Sequence, residues 1–406
     1  MSYRIMFISS MYQGSLESFY KRRYNDIKDL SFEHHYNLLM EDTTEFIGSY
    51  TRGLRKLGMD ARSVIVNDNY LQSKWIREFV SEKPGSKKLL FSQVDVFQPE
   101  ILWIDNLNYV DREWLDMIRK NVKSIRLIAG YHCSPYGPKI IDALKAVDIV
   151  ITCTPGLKSE IESMGKHSFL VYHGFDDTLI PKIVPGKCKP EYNLVFSGSL
   201  TTGGRFHDER RKIIEDLLEE DIDMRLYVNL EKEYKIRAKQ AIFVLTDLVR
   251  RLNIKSLKKQ TEKYDFGKNM PRIYSGKLVK SCQYPLYGIE MYNLLSRSKI
   301  VLNMHIGVAG DYAGNMRLFE ATGAGSCLLT DNKKNIGDLF DPGREVVIFN
   351  DAKDCVTKAK WLLKNEAERK RIALSGQART LKSHTVHKRC EQILEILEKE
   401  INQNYH

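Results

Sequence analysis

The sequence predicts an α/β protein built as two parallel-sheet domains that face a central cleft. Three observations carry this. Short apolar runs of strand length alternate with amphipathic runs of helix length through most of the chain, the pattern of parallel sheet covered by helices. The alternation stops at a Pro- and Lys-bearing stretch, residues 181–190, and then restarts. The 406 residues also exceed what a single hydrophobic core ordinarily organises. The expected division is a first domain over 1–184 and a second over 190–385.

In order along the first half, strand runs fall at 5–8, 61–66, 101–104, 124–129, 148–152 and 169–172. Helical spacing of Phe46, Ile47, Tyr50, Leu54 and Leu57 marks 44–57, and Gly58 ends it. Further helices are expected at 109–120 and 138–146, and one after Thr154-Pro155, where Pro suits the first helical position. The second half restarts with a strand at 193–197, a helix at 208–219 and a strand at 224–228. Residues 231–264 break the pattern: they are long, helical and basic, and read as an insertion. The pattern resumes with a helix at 288–296, a strand at 300–304, and a helical tail from 352.

The densest chemistry lies at 310–330, GDYAGNMRLFEATGAGSCLLT. Gly310 and Gly314 open a turn, Asn315 is a candidate N-cap, and Arg317 and Glu320 lie three apart on the helix that follows. Small residues Ala321, Gly323, Ala324 and Gly325 close it before an apolar strand, Cys327-Leu328-Leu329-Thr330. Turn amides and a helix start suit a phosphate, and a carboxylate beyond them suits a sugar hydroxyl pair. The stretch reads as a nucleoside-diphosphate site.

Around it run Tyr287-Gly288-Ile289-Glu290, Ser298-Lys299-Ile300-Val301-Leu302-Asn303, His305, Asn315-x-Arg317-x-x-Glu320-Ala321, Asp331 and Pro342-Gly343-Arg344-Glu345. This order resembles the donor-binding segment of two-domain glycosyltransferases of the GT-B fold, most of all the CgeB-like branch of the group 1 enzymes. The resemblance implies two Rossmann-like domains, a last helical segment, 386–406, that crosses back to the first domain, and a nucleotide-diphosphate sugar as donor, with no separate cofactor. It implies that Glu320 binds the donor ribose, and that His132, after the run ending Ala129-Gly130, approaches the donor sugar as a catalytic aid. A second carboxylate common in relatives eight positions before Glu320 is replaced here by Tyr312.

A transferase of this kind stabilises charge growing on a leaving diphosphate, for which backbone amides and a cation serve. Gly198 and Arg205, in the loop after the second domain's first strand, stand where parallel sheets place ligands; Arg205 is either that cation or a solvated loop residue. Arg317 either binds phosphate or pairs with Glu320. His305, at a strand end, either donates to the donor or is structural. Gly14, in the first loop, permits close backbone approach, and Asp176 in His173-Gly174-Phe175-Asp176 reads as structural.

No Asp-x-Asp or His/Cys spacing marks a metal site, so metal-independent transfer is expected. The 7 Cys are scattered without a C-x-x-C pair and read as reduced thiols. The opening run reads as a strand rather than a signal peptide, and no apolar run nears the ~20 residues of a membrane span, so a cytoplasmic protein is expected. The net charge of +11 favours acidic partners: nucleotide sugars or, through the basic insertion, an anionic membrane bearing a lipid-linked acceptor. Nucleic acid lacks any accompanying motif and is set aside. The resulting expectation is a retaining glycosyltransferase acting on a glycan, lipid-linked or other glycoconjugate acceptor in cell-surface polysaccharide biosynthesis. Two alternatives stand: a nucleotide-sugar epimerase on the same fold, and a non-catalytic assembly protein that keeps the fold.

Overall fold

A computed structural model describes residues 2–80, 84–134, 137–183, 190–201, 208–252, 270–305 and 310–403. Arg205 with its neighbours Gly203 and Gly204, linker residues 184–189 and the insertion from 253 onward lie outside the described residues.

The first sheet comprises β1 (Arg4–Ser9), β2 (Asp60–Ile65), β3 (Ile101–Ile104), β4 (Leu127–Tyr131), β5 (Ile149–Thr152) and β6 (Ser168–Leu170). All are parallel, in the order β2-β1-β3-β4-β5-β6. Helices cover both faces, so the strands are apolar throughout instead of alternating. In β1, Ile5 and Phe7 enter one core while Met6 and Ile8 enter the other.

The second sheet comprises β7 (Tyr192–Ser197), β8 (Met224–Tyr227), β9 (Cys282–Gln283), β10 (Ser298–Asn303), β11 (Cys327–Asp331) and β12 (Val347–Phe349). It is also parallel, in the order β12-β11-β10-β7-β8-β9. Each sheet reverses its winding next to its first strand, between β1 and β3 and between β7 and β10. Such switch points open crevices at the carboxyl ends of the strands, where α/β sheets take their ligands.

The chain returns to the first sheet at its end. Phe175 N–H donates to His384 and Val386 N–H donates to Phe175, which starts the helix Val386–Gln403 against the first core. Val386, Cys390, Ile393, Leu397 and Ile401 of this helix are buried there. A Cβ on Gly53 would stand 2.6 Å from Cys390 Sγ, so glycine sets how near this helix lies. Asp176 accepts from Arg52 at 2.6 Å and from Ser49 at 2.8 Å, binding the return segment to the helix Phe46–Lys56.

Some expectations need correction. The strand expected at 124–129 begins at Leu127, because Ser124 and Arg126 bond to the segment before β3 (Ser124 Oγ to Pro99 O, Arg126 N–H to Glu100 O). The helices Gln13–Ile27 and Phe32–Asp42 extend the first domain beyond the simple alternation. The insertion supplies the helix Glu233–Arg251, on which Val244, Leu245 and Leu248 are exposed among basic residues. Cys133 and Cys153 are paired as a disulfide instead of standing as isolated thiols. They are 20 residues apart in sequence, but the neighbouring strands β4 and β5 end side by side. Among the described residues, no helix is long and apolar enough to cross a membrane.

Candidate active site

On the second sheet the site grows from the ends of β7 and β10. The helix Arg317–Gly323 starts there and is buried along most of its length. Glu320 lies in its first turn, one turn earlier than its distance from Gly314 suggests, because the helix begins only at Arg317. Arg317 Nη1 stands 2.9 Å from Glu320 Oε2, and the Tyr292 hydroxyl donates to Oε1 at 3.4 Å. Arg317 Nη2 reaches Ser197 Oγ at the end of β7, at 3.5 Å. Its Nε is buried and finds no partner among the described residues. Of the two sequence readings of Arg317, the pairing with Glu320 is the one seen here.

Small residues close this helix for a packing reason. A Cβ on Gly323 would overlap the ring of Phe175, which is fully buried at the domain return. Gly325, at φ +87°, then turns the chain into β11.

The glycine turn is organised differently from the expectation. Gly310 takes φ +56°, a left-handed conformation that favours glycine. Gly314 is needed for closeness: a Cβ there would stand 2.5 Å from the carbonyl oxygen of Cys153, in the first domain. Asn315 is not the helix cap. Its Nδ2 donates to Asn303 Oδ1 at 2.6 Å, tying the turn to the end of β10, and Met316 occupies the cap position. Two of the turn amides are engaged inside the protein, Ala313 N–H with Asn335 Oδ1 at 2.6 Å and Gly314 N–H with His305 Nε2 at 3.4 Å.

His305 holds this arrangement. Its Nδ1 meets Asp331 Oδ1 at 2.7 Å and its backbone N–H donates to the same oxygen at 3.0 Å. The network places the ring proton on Nδ1 and leaves Nε2 to accept from Gly314. Burial pushes the Asp331 carboxyl up, but the hydrogen bonds from His305, with the charge of Lys333, hold it below its ordinary value. His305 thus orients the turn. Gly198 follows β7 and donates to Tyr227 O at 3.3 Å. Arg210, which sequence reasoning missed, braces this corner: it donates to Ser199 O at 2.8 Å and to Met304 O, and its guanidinium lies 5.4 Å from the Phe196 ring centroid. Burial lowers its pKa to about 10, leaving it charged.

On the first sheet the loop after β1 forms the opposing wall. Asn67 pins it by exchanging hydrogen bonds with Met11 N–H and C=O at 3.0 and 2.8 Å. Tyr12 N–H donates to both oxygens of Glu45 at 3.1 Å. Ser9 Oγ bonds Asp105, the residue that follows β3. Burial raises Glu45 to about 7, further raised by the charges of Asp105 and Glu320 and opposed by hydrogen bonds from Ser15 and Tyr12. Burial likewise raises Asp105 to about 6.

The two walls meet at Tyr12. Its side chain is 59% exposed within the concave cleft, yet burial, Glu45 and Glu320 raise its phenol while Arg317 lowers it. Charges of both domains thus act on one ring. Gly14 is glycine because the Tyr287 ring of the second domain occupies the space a Cβ would take. His132 follows β4, is 5% exposed, and is lowered by burial. Sequence reasoning also missed Glu45 and Asp105. Asp105 carried a signal, a carboxylate directly after an apolar strand. Glu45 carried none, since tertiary packing alone brings it to Tyr12.

Comparison with known proteins agrees with this architecture. Residues 250–395, which include β9 to β12 and the Arg317–Gly323 helix, match the family model described as "Glycosyl transferase-like". Comparison with curated protein sequences gives no match. Among solved structures, HepE from Anabaena in complex with UDP-glucose superposes with a TM-score of 0.59 at 10% identity, over 98% of this chain and 100% of that one. A glycosyltransferase from Rickettsia africae ESF-5 gives 0.55 at 10% identity, over 98% and 99% of the two chains. Sucrose-phosphate synthase from Thermosynechococcus elongatus gives 0.53 at 9%, over 98% of both. Identities this low establish the fold: two Rossmann-like domains in the GT-B arrangement.

Proposed function

We propose that this chain is a glycosyltransferase that moves a sugar from a nucleoside-diphosphate sugar to a glycan or glycoconjugate acceptor. The observation that carries the reading is the buried Arg317–Glu320 pair at the second sheet's switch point, opposed across the cleft by Tyr12, Glu45 and Asp105. The matched glycosyl transferase-like segment includes that pair, and HepE, of the same fold, was captured with UDP-glucose. In this reading Glu320 accepts hydrogen bonds from the donor ribose. Arg317, keeping a free donor at Nε, turns toward the diphosphate as charge grows on it. His305 and Asn315 act by fixing the turn, and His132 faces the sugar from the first domain. Arg205 is assigned by its place in sequence as a second cation.

The finer reading is a CgeB-like, retaining enzyme that needs no divalent ion at the diphosphate, works in the cytoplasm on cell-surface polysaccharide, and touches anionic membrane through the Glu233–Arg251 helix. Equal turnover with and without added magnesium supports the ion-free reading. Flotation with anionic vesicles at low salt supports the membrane reading. One observation favours a second stereochemistry. A Glu45 carboxyl poised near 7 suits a general base for an acceptor hydroxyl, which belongs to inverting transfer. The anomeric configuration of the product, read by NMR, separates the two.

The primary test is a thermal-shift panel of nucleoside diphosphates and their sugars. One diphosphate stabilises the chain, and Glu320→Ala abolishes the shift. A panel without any shift refutes the reading.

A further inference from the structure

Three strands of the first sheet deliver a set of side chains that the transferase reading does not use. Cys133 follows β4, Cys153 follows β5, and His173 lies beyond β6. These strands are neighbours, so their carboxyl ends converge. One ligand atom from each residue, two Sγ and an imidazole nitrogen, all lie within 4.8 Å of one another, and the two cysteine Cα atoms are 5.6 Å apart. Cys153 is 4% exposed and the other two are half-buried, which leaves a path of entry. The His173 ring is packed by Phe46 and Tyr131, with the Tyr131 hydroxyl 3.4 Å from Nδ1.

A disulfide accounts for two of these three groups, and the imidazole stands beside them, held by the Tyr131 contact at Nδ1 and by ring packing. A metal ion accounts for all three. Two thiolates and a neutral imidazole form a donor set for a borderline-soft divalent ion, and zinc accepts it in tetrahedral geometry with one position left over.

We propose that Cys133, Cys153 and His173 bind a divalent cation of the zinc class, with water in the fourth position, and that this ion braces the ends of β4, β5 and the segment after β6. Loading starts from the dithiol. A small-molecule thiol reduces the disulfide, giving two cysteine thiols while two molecules of the reductant join as their own disulfide. The ion then displaces two protons to form two metal–thiolate bonds. The ion lies under the donor turn, because the Cys153 carbonyl is the surface on which Gly314 packs. It is separate from any ion at a diphosphate, and the proposal does not depend on the transferase reading.

The test uses the full chain, reduced with a small-molecule thiol, incubated with zinc, freed of excess and assayed by elemental analysis. The expected result is about one zinc per chain, falling roughly tenfold or more in Cys153→Ser and in His173→Ala, and unchanged in Cys282→Ser, a cysteine in the second sheet. Cobalt provides a readout that needs no variant. The reduced wild-type chain should gain the thiolate-to-cobalt charge-transfer absorption, and zinc should displace it. A reduced wild-type chain that retains no zinc and gives no such absorption overturns the proposal, as does zinc that stays bound in both Cys153→Ser and His173→Ala.

Discussion

Glu320 and Glu45 approach one another across the cleft, and the fold treats them oppositely. Glu320 is paired with Arg317 at 2.9 Å and further held by Tyr292. Glu45 is held by the Tyr12 backbone and Ser15, and the charges that act on it are those of Asp105 and Glu320. Glu320 has a guanidinium partner and sits as a fixed, paired group. Glu45 has no such partner: burial first, and then the charges of Asp105 and Glu320, raise it to about 7, which makes it a group able to exchange a proton near neutrality. In the proposed reading, the second domain's pair holds the ionic ligand and the first domain's carboxyl handles the proton.

The sharpest way to break this comparison is to remove the partner. Glu320→Ala leaves Arg317 buried without its counter-charge, and should cost about 3 kcal/mol of stability as well as nucleoside-diphosphate binding. The double variant Arg317→Met with Glu320→Gln removes both charges and should regain most of the stability without regaining binding. Denaturant unfolding and thermal shift together measure both effects. If the double variant binds as the wild type does, this pair is not the donor site.

Contact between the domains comes next. A methyl at Gly314 meets the Cys153 carbonyl at 2.5 Å, and backbone cannot swing away as a side chain can. Gly314→Ala should therefore cost about 1–3 kcal/mol by overpacking. Gly310→Ala meets nothing within 4 Å and bears only the strain of φ +56°, about 1 kcal/mol. Equal losses at both positions would show that the two domains do not meet at this turn as described.

These positions also show what was legible in the sequence. Periodicity located the helices Pro138–Ala146 and Gly288–Ser296 and most strands, because each signal lies within one element. The glycines at 310 and 314 were visible as a turn, but their separate reasons were not. One serves a local dihedral angle and the other a carbonyl from 161 positions away in the chain. Asn315 shows the same limit. A cap is a local expectation, whereas its partner Asn303 is supplied by sheet geometry. Asp105 meets Ser9 across 96 residues only because β3 pairs with β1. Cys133, Cys153 and His173 have no recognisable spacing in the chain and converge only once β4, β5 and β6 stand in order.

The first-domain half of the comparison is sharpened by pH. With its carboxyl raised from 4.5 to about 7, Glu45 in the folded chain keeps a proton that the unfolded chain has already lost. Over that window the folded state binds more protons, so stability is greatest below it and falls as pH rises through it. Glu45→Gln removes the charge that burial penalises. Relative to the wild type it should remove about 1–3 kcal/mol of decline between about pH 4.5 and 7. Asp105, raised to about 6, slopes the same way, and His35, His173 and His384, lowered by burial to about 4, slope the opposite way in both proteins. Unfolding measured at several pH values reads this directly. An unchanged slope would place Glu45 in solvent and return the cleft to a single ionic wall. A flattened slope with transfer intact would keep its raised pKa but remove it from the reaction, leaving the retaining route.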